Sequence, residues 1–312
     1  MAKTRIQEID FLRAVFIILM VLFHLSAIGI HYPNVKQVVY SFHMPAFLVI
    51  SGFLVGINKP CRPFFRSCLW IFIPYAIMET GYVAASSFLP VGEPVDDISF
   101  QLLLDKLIFH PLGPYWYLHT LLICDILCWC LCRTRFADNL VSLLCVLILC
   151  FYVLDKYLEV VSFANAMYFI GGFALRRRKK DFISVICPSF FALPLIILII
   201  CVDDSLNKST LGGVSLTYLV MSFSVWIFQR LPHIVSRLLC FVGSNTLPIL
   251  LFSPLFTMAV KPLSRLMKFD STLCLFALVG TSVAVGGSLL IAVIMDKLRL
   301  SDFFVGRDRI IV

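Results

Sequence analysis

The chain has 312 residues, 60% of them hydrophobic and 14% charged, with a mean hydropathy of +0.96. Soluble domains are about 45–50% apolar and about 25% charged, so a single water-soluble globule is excluded and an all-α, polytopic membrane protein is expected. The net charge of +8 is spread over short loops, a pattern that orients helices in a bilayer rather than one that holds a nucleic acid.

A spanning helix needs about 20 mostly apolar residues. Ten runs qualify, near 11–30, 38–57, 68–89, 115–132, 139–154, 160–175, 182–202, 211–229, 239–260 and 271–295. The fifth and sixth are short. No internal repeat and no long linker divides them, so residues 1–312 are expected to form one membrane domain. Lys3 and Arg5 precede the first run as they would in a signal peptide. Arg13 interrupts that run and no small-residue cleavage site follows, so an uncleaved first helix is expected. The longest loop, 90–114, carries Glu93, Asp96, Asp97 and Asp105.

With an inside N-terminus and ten spans, nineteen of the 26 Lys and Arg residues fall inside and seven outside. That asymmetry puts both termini in the cytoplasm. The 261–270 loop is discordant, with Lys261, Arg265 and Lys268 outside. The twelve cysteines sit mostly in apolar runs and read as small buried hydrophobes. Cys128, Cys130 and Cys132 lack zinc-ligand spacing, and no metal site is expected.

The first run, "FLRAVFIILMVLFH", is opened by Arg13 and closed by His24. Eleven residues at about 100° each bring the two onto nearly one helix face, separated by about 16 Å of rise. The second run contains His43 in "YSFHMPAFLVISGF", a few residues past its expected start and so at about the depth of His24. Ionisable groups inside a bilayer are costly and mark functional sites by default; the alternative is a pair of neutral, hydrogen-bonded structural histidines. Pro45 and Ser51-Gly52 would loosen the second helix and make room for a ligand. Glu79 and Asp125 fall in the third and fourth spans, where they would bind substrate or form a structural pair with a buried cation. His119 is a weaker candidate on the fourth. Trp116 and Tyr117 would stack on a sugar or join an interfacial aromatic belt. Arg62 and Arg66 lie on the Arg13 side. The run Arg176 to Lys180 reads as a positive-inside anchor.

These residues resemble the acyltransferase-3 superfamily of membrane acyltransferases, and within it the fucose 4-O-acetylase-like branch of bacterial acetyltransferases. The matching stretches are "IDFLRAVFIILMVLFH", an Arg-x10-His helix; "SFHMPAFLVISGFL"; "RPFFRSCLWIFIPY"; "GPYWYLHTLL"; and "VGSNTLPILLFSP". Together they cover essentially the whole chain. The resemblance implies acetyl transfer from cytosolic acetyl-CoA, or another short acyl-CoA, to a carbohydrate or glycolipid hydroxyl at the bacterial inner membrane. It carries Arg13 and His24 over as the Arg-x10-His pair and puts Arg66 at the family's basic entry to the third helix. Where the family often ends its late motif with His, this chain has Ser253.

Such chemistry requires a base for the hydroxyl proton and a donor to the developing oxyanion. His24 is the expected base. His43 would orient it, donate to the oxyanion or hold the acceptor. Arg13, Arg62 and Arg66 would bind the anionic donor. An exporter or flippase of polysaccharide or lipid-linked sugar is the other class considered. It would favour repeats or broken helices near the midplane. Acylation of a small molecule is a third. Neither the acceptor nor the oligomeric state is legible.

Overall fold

The computed structural model describes residues 6–87, 99–202, 206–267 and 269–312. Lys3, Arg5, Glu93, Asp96, Asp97 and Lys268 lie outside the described residues. Among those described, the chain is helical and has no strand. In order, the helices are α1 (Gln7–His24), α2 (Ser26–His31), α3 (Pro33–Leu54), α4 (Cys61–Ser86), α5 (Phe100–Ile108), α6 (Trp116–Leu131), α7 (Leu140–Lys156), α8 (Phe163–Arg177), α9 (Phe182–Ile186), α10 (Ala192–Val202), α11 (Leu211–Phe228), α12 (His233–Ser244), α13 (Thr246–Ala259), α14 (Leu263–Leu266), α15 (Cys274–Lys297) and α16 (Ser301–Val305).

Each predicted run contains a helix among the described residues, but three are broken. The first ends at His24, because Leu25 is extended with ψ 102° and a new short helix follows. The seventh breaks after Ile186, where Cys187 adopts a left-handed φ of 48° ahead of Pro188. The ninth turns through 81° between α12 and α13. Asn245 sits at that turn, and its side-chain amide donates back to the Phe241 carbonyl at 2.8 Å and to Ser244 Oγ at 3.1 Å. A short polar side chain that competes for backbone partners ends a helix, and Pro248 then brings no N–H to the next turn.

The second helix begins earlier than expected, at Pro33, a residue whose fixed φ suits a first helical position. His43 is therefore the eleventh residue of α3, near its middle and not near its entry. Among the described residues, five helices are long and apolar enough to cross a bilayer, or six if α12 and α13 form one bent span. The other expected spans miss that standard for plain reasons. α1 carries Glu8, Asp10 and Arg13, while α7, α8 and α10 have 17, 15 and 11 residues. Large apolar side chains such as Leu195, Ile197, Leu198 and Leu278 are exposed, as suits a lipid-facing surface.

The chain divides into two units, and α3 passes from the first to the second at Phe47. The first contains Met1–Phe47, Asp181–Ser301 and Asp308–Val312. Here α1 is the central helix, packed on α11, α12, α13 and α15, with Leu12, Ala14, Phe16, Met20 and Val21 buried. Gly243 lets α12 lie directly on α1: a Cβ there would stand 1.6 Å from the Asp10 carbonyl oxygen.

The second unit contains Leu48–Lys180 and Asp302–Arg307. One close helix contact there is reciprocal. A Cβ on Gly52 would stand 2.0 Å from the Phe169 carbonyl oxygen, and one on Gly172 would stand 1.9 Å from that of Val49. Small residues that let backbones meet are the usual device for packing membrane helices, where no hydrophobic effect drives association. The Ser51-Gly52 pair thus serves a helix contact and makes no room for a ligand, because α8 fills the space its missing side chain leaves.

Candidate functional site

In the first unit, two of the expected residues, Arg13 and His24, lie on α1, and a third, His43, lies on α3. His24 is the last residue of α1, and its Nδ1 lies 2.7 Å from the Met20 carbonyl. A carbonyl only accepts, so Nδ1 carries the proton and the neutral ring keeps its lone pair on Nε2. His43 repeats the arrangement one helix away, with Nδ1 2.7 Å from the Val39 carbonyl. The two differ in access. His43 is 3% exposed, whereas His24 is exposed although its neighbours Val21, Phe23 and Leu25 are buried.

Tyr40 stands between the two histidines, its ring 6.3 Å from that of His24 and 5.1 Å from that of His43. Its hydroxyl donates weakly to the Phe23 carbonyl at 3.4 Å. Sequence reading passed over Tyr40. The signal was its spacing: Tyr40 and His43 are three apart on a helix, hence on one face.

Arg13 meets the broken span. Its Nη2 donates to Thr246 Oγ1 at 2.9 Å, and Thr246 is the first residue of α13. A guanidinium and the amino end of a 14-residue helix thus meet, both positive in sign. Asn245 next to it is 1% exposed and accepts from the Val312 amide at 2.9 Å. The chain's last residues are also held by Asp296, which accepts from the Ile310 amide at 2.7 Å and the Ile311 amide at 3.2 Å. Ser253, where a late His was expected by resemblance, is buried on α13.

The remaining expected residues belong to the second unit. Glu79 is buried and its Oε1 accepts from the Leu112 amide at 2.6 Å; it fixes the turn that enters α6. Tyr117 is buried and its hydroxyl is 2.7 Å from Ser51 Oγ, a helix–helix link. Trp116 packs edge-on to it at 6.4 Å. His119 Nε2 donates to the Ile108 carbonyl at 2.8 Å and ties α5 to α6. Asp125 has a buried Oδ1 without a hydrogen-bond partner among the described residues. Arg62 and Arg66 are exposed on the first turns of α4.

The second unit also holds a cavity of about 390 Å³ lined by Ile57, Asn58, Arg176, Arg177, Lys179 and Lys180. The basic run read as an anchor is therefore also a concave cationic surface. One wall is the turn after α3. Trp129 Nε1 donates to the Lys59 carbonyl at 3.0 Å, Arg133 donates to the Ile57 carbonyl at 3.3 Å, and the Arg133 guanidinium stacks 3.4 Å over the Trp129 ring. The other wall is the end of α8, where Arg177 donates to the Ala137 carbonyl at 2.7 Å. Spacing alone did not reveal this, since the walls lie over a hundred residues apart in sequence. Among the described residues, no three His, Cys, Asp or Glu side chains are grouped to hold a metal ion.

A family model described as an acyltransferase domain matches residues 6–293. The chain belongs to the acyltransferase-3 family. No curated protein and no solved structure matches it. The match spans Arg13, both histidines, the 176–180 run and the break at Asn245. This acyltransferase is thus an acyl-transferring enzyme whose apolar helices fit a bilayer.

Proposed function

We propose that this acyltransferase moves an acetyl group from acetyl-CoA to a hydroxyl of a cell-surface glycan or lipid-linked sugar. It does so in the bacterial cytoplasmic membrane, with about ten spans and both termini cytoplasmic. Placement in the fucose 4-O-acetylase-like branch belongs to the same reading. The observation that carries it is the Nδ1 hydrogen bond of His24 to Met20. It leaves an accessible imidazole nitrogen with a free electron pair, the group a general base requires.

In this mechanism Nε2 of His24 takes the acceptor's hydroxyl proton as the oxygen attacks the thioester carbonyl. A C–O bond forms, the C–S bond breaks, and the proton passes to the departing CoA sulfur. His43 keeps the same tautomer, so its neutral ring offers no N–H at Nε2; it holds or orients rather than donating to the oxyanion. Tyr40, between the rings, is the hydroxyl placed to orient the acceptor. Arg13, Arg62 and Arg66 guide the anionic donor. The cationic cavity at the end of α8 suits its phosphates, because guanidinium and ammonium groups bind phosphate through charge-assisted hydrogen bonds. Trp116, Tyr117, Glu79 and Asp125 are assigned to the acceptor side, Glu79 through the turn it fixes and Tyr117 through its link to Ser51.

One observation favours the exporter alternative: α12 and α13 form a broken span with an arginine at the break, a feature of transport pathways. The test is thiol release from acetyl-CoA by the purified protein in detergent, with glycan fragments as acceptors. Release above that of a mock preparation supports the enzyme. No release with any short acyl-CoA favours transport.

A further inference from the structure

Asp296 stands in the last turn of α15, where the helix dipole favours a cation and opposes a carboxylate. The donors it collects account for its place. Its Oδ1 accepts from the Ser301 hydroxyl and from the Ile310 amide at 2.7 Å, and its Oδ2 accepts from the Ile311 amide at 3.2 Å. Ser301 is fully buried and Ile310 is buried. One carboxylate thus closes the chain from Ser301 to Ile311 into a loop, through charge-assisted bonds about twice as strong as neutral ones.

The next residue carries that loop to the broken span. The Val312 amide donates to Asn245 Oδ1 at 2.9 Å. The Asn245 side-chain nitrogen is engaged on the other side, with the Phe241 carbonyl and Ser244 Oγ of α12. Asn245 is therefore a joint held from two directions, by α12 and by residues 308–312. Without the Val312 bond, its Oδ1 would be left buried and unmatched, which costs more than the bond itself contributes. The support under the joint is firm, because α15 lies close on α13: a Cβ on Gly287 would stand 2.4 Å from the Phe256 ring.

Thr246 follows the joint, and its Oγ1 takes the hydrogen bond from Arg13 Nη2. Among the described residues, no carboxylate is paired with Arg13. The Thr246 hydroxyl thus fixes the guanidinium, and the joint fixes the hydroxyl. Arg13, Asn245, Thr246, Asp296 and residues 308–312 all belong to the first unit.

We infer that Asp296 and Asn245 are positioning residues for Arg13: residues 308–312 close as a clasp over the break between α12 and α13, and through Thr246 the clasp sets where Arg13 presents its guanidinium to the anionic donor. The donor's identity rests on the acyl-transfer reading; the clasp itself does not. Small displacements of a binding group far from the chemistry are costly, so a joint this close to Arg13 acts on donor affinity and leaves the chemistry at His24 to itself.

The test uses the full chain in neutral detergent. Acetyl-CoA kinetics are measured for the wild type, Asp296→Ala, Thr246→Val and Thr246→Ser, and for the first two variants in an Arg13→Ala background. Thr246→Val keeps the side chain's shape and removes the hydroxyl, so it reports even where Asp296→Ala folds poorly. Asp296→Ala and Thr246→Val should each raise acetyl-CoA KM roughly threefold to tenfold, the loss of one hydrogen bond, with kcat nearly unchanged. Thr246→Ser should restore the wild-type KM. In the Arg13→Ala background neither variant should raise KM further, because residues that act through one contact are not additive. A merely structural role would lower Tm and kcat together and leave KM alone. Unchanged KM in both variants, or KM increases that add to that of Arg13→Ala, overturns the inference. Phenylglyoxal modification of Arg13, followed by mass spectrometry, is read on the same proteins. It should be faster in Asp296→Ala and Thr246→Val than in the wild type, and an unchanged rate in both overturns the clasp. No thiol release by the wild type refutes the acyl-transfer reading, and the labelling rates then decide the clasp on their own.

Discussion

At the scale of single residues, the hydrogen bond to the backbone decides what each histidine can do. His24 and His43 both give their Nδ1 proton to the carbonyl four residues earlier, which fixes a basic Nε2. Only His24 is accessible. Tyr40 is expected to act through position. Tyr40→Phe keeps the ring and loses the hydroxyl, so kcat should fall roughly fivefold to tenfold with acetyl-CoA KM unchanged, the effect of one ordinary hydrogen bond. Steady-state kinetics separates the two constants. A change in donor KM alone would place Tyr40 elsewhere. By contrast, Glu79 and Tyr117 bind neighbouring segments of the protein itself. Their replacement should lower thermal stability and activity together.

At the scale of elements, close backbone contacts set the helix positions. Gly172→Ala would drive a methyl into the Val49 carbonyl, and Gly243→Ala would do the same at Asp10. Overpacking of this kind costs about 1–3 kcal/mol; each variant should show a lower Tm in detergent, and Gly171→Ala, where a Cβ would meet nothing, should not. The loop before α15 adds a pH dependence. Hydrogen bonds from Thr272 and Leu275 hold the Asp270 carboxyl below the usual carboxylate range. A depressed folded value means the loop's added stability is present above the unfolded value and lost as pH falls through the folded one. Asp270→Asn should abolish that acid-side change, read by proteolysis of the loop at descending pH.

The elements also show which features the sequence made legible. Helical runs were, because about 20 apolar residues identify themselves. The breaks at Leu25, Cys187 and Asn245 were not, because each depends on one residue's backbone angles and local partners. The Arg13–His24 face was readable from helical period alone. The partner of Arg13 was not, since Thr246 comes 233 residues later. Gly52 misled for a related reason: a missing side chain looks the same in sequence whether a ligand or another helix fills its place.

At the scale of the whole molecule, charge is distributed by task. Arg176, Arg177, Lys179 and Lys180 line a cationic cavity with Ile57 and Asn58, the place proposed for the donor's phosphates. Arg176→Gln with Lys180→Gln should raise acetyl-CoA KM by about tenfold or more, as loss of charge-assisted phosphate contacts does, and should flatten the salt dependence of KM. CoA lacking its 3′-phosphate should lose affinity for the wild type and little for that variant. Unchanged KM would return the run to a purely orienting role.

The most direct measurement compares wild type with His24→Gln for two quantities, acetyl-CoA binding and acetyl-CoA turnover. Glutamine keeps a polar side chain but offers no basic nitrogen. Donor binding is expected within about twofold of wild type, with turnover reduced by about 10²–10⁴, the usual contribution of a general base. Turnover that survives in His24→Gln, with donor binding intact, would contradict the assignment of His24 as the base.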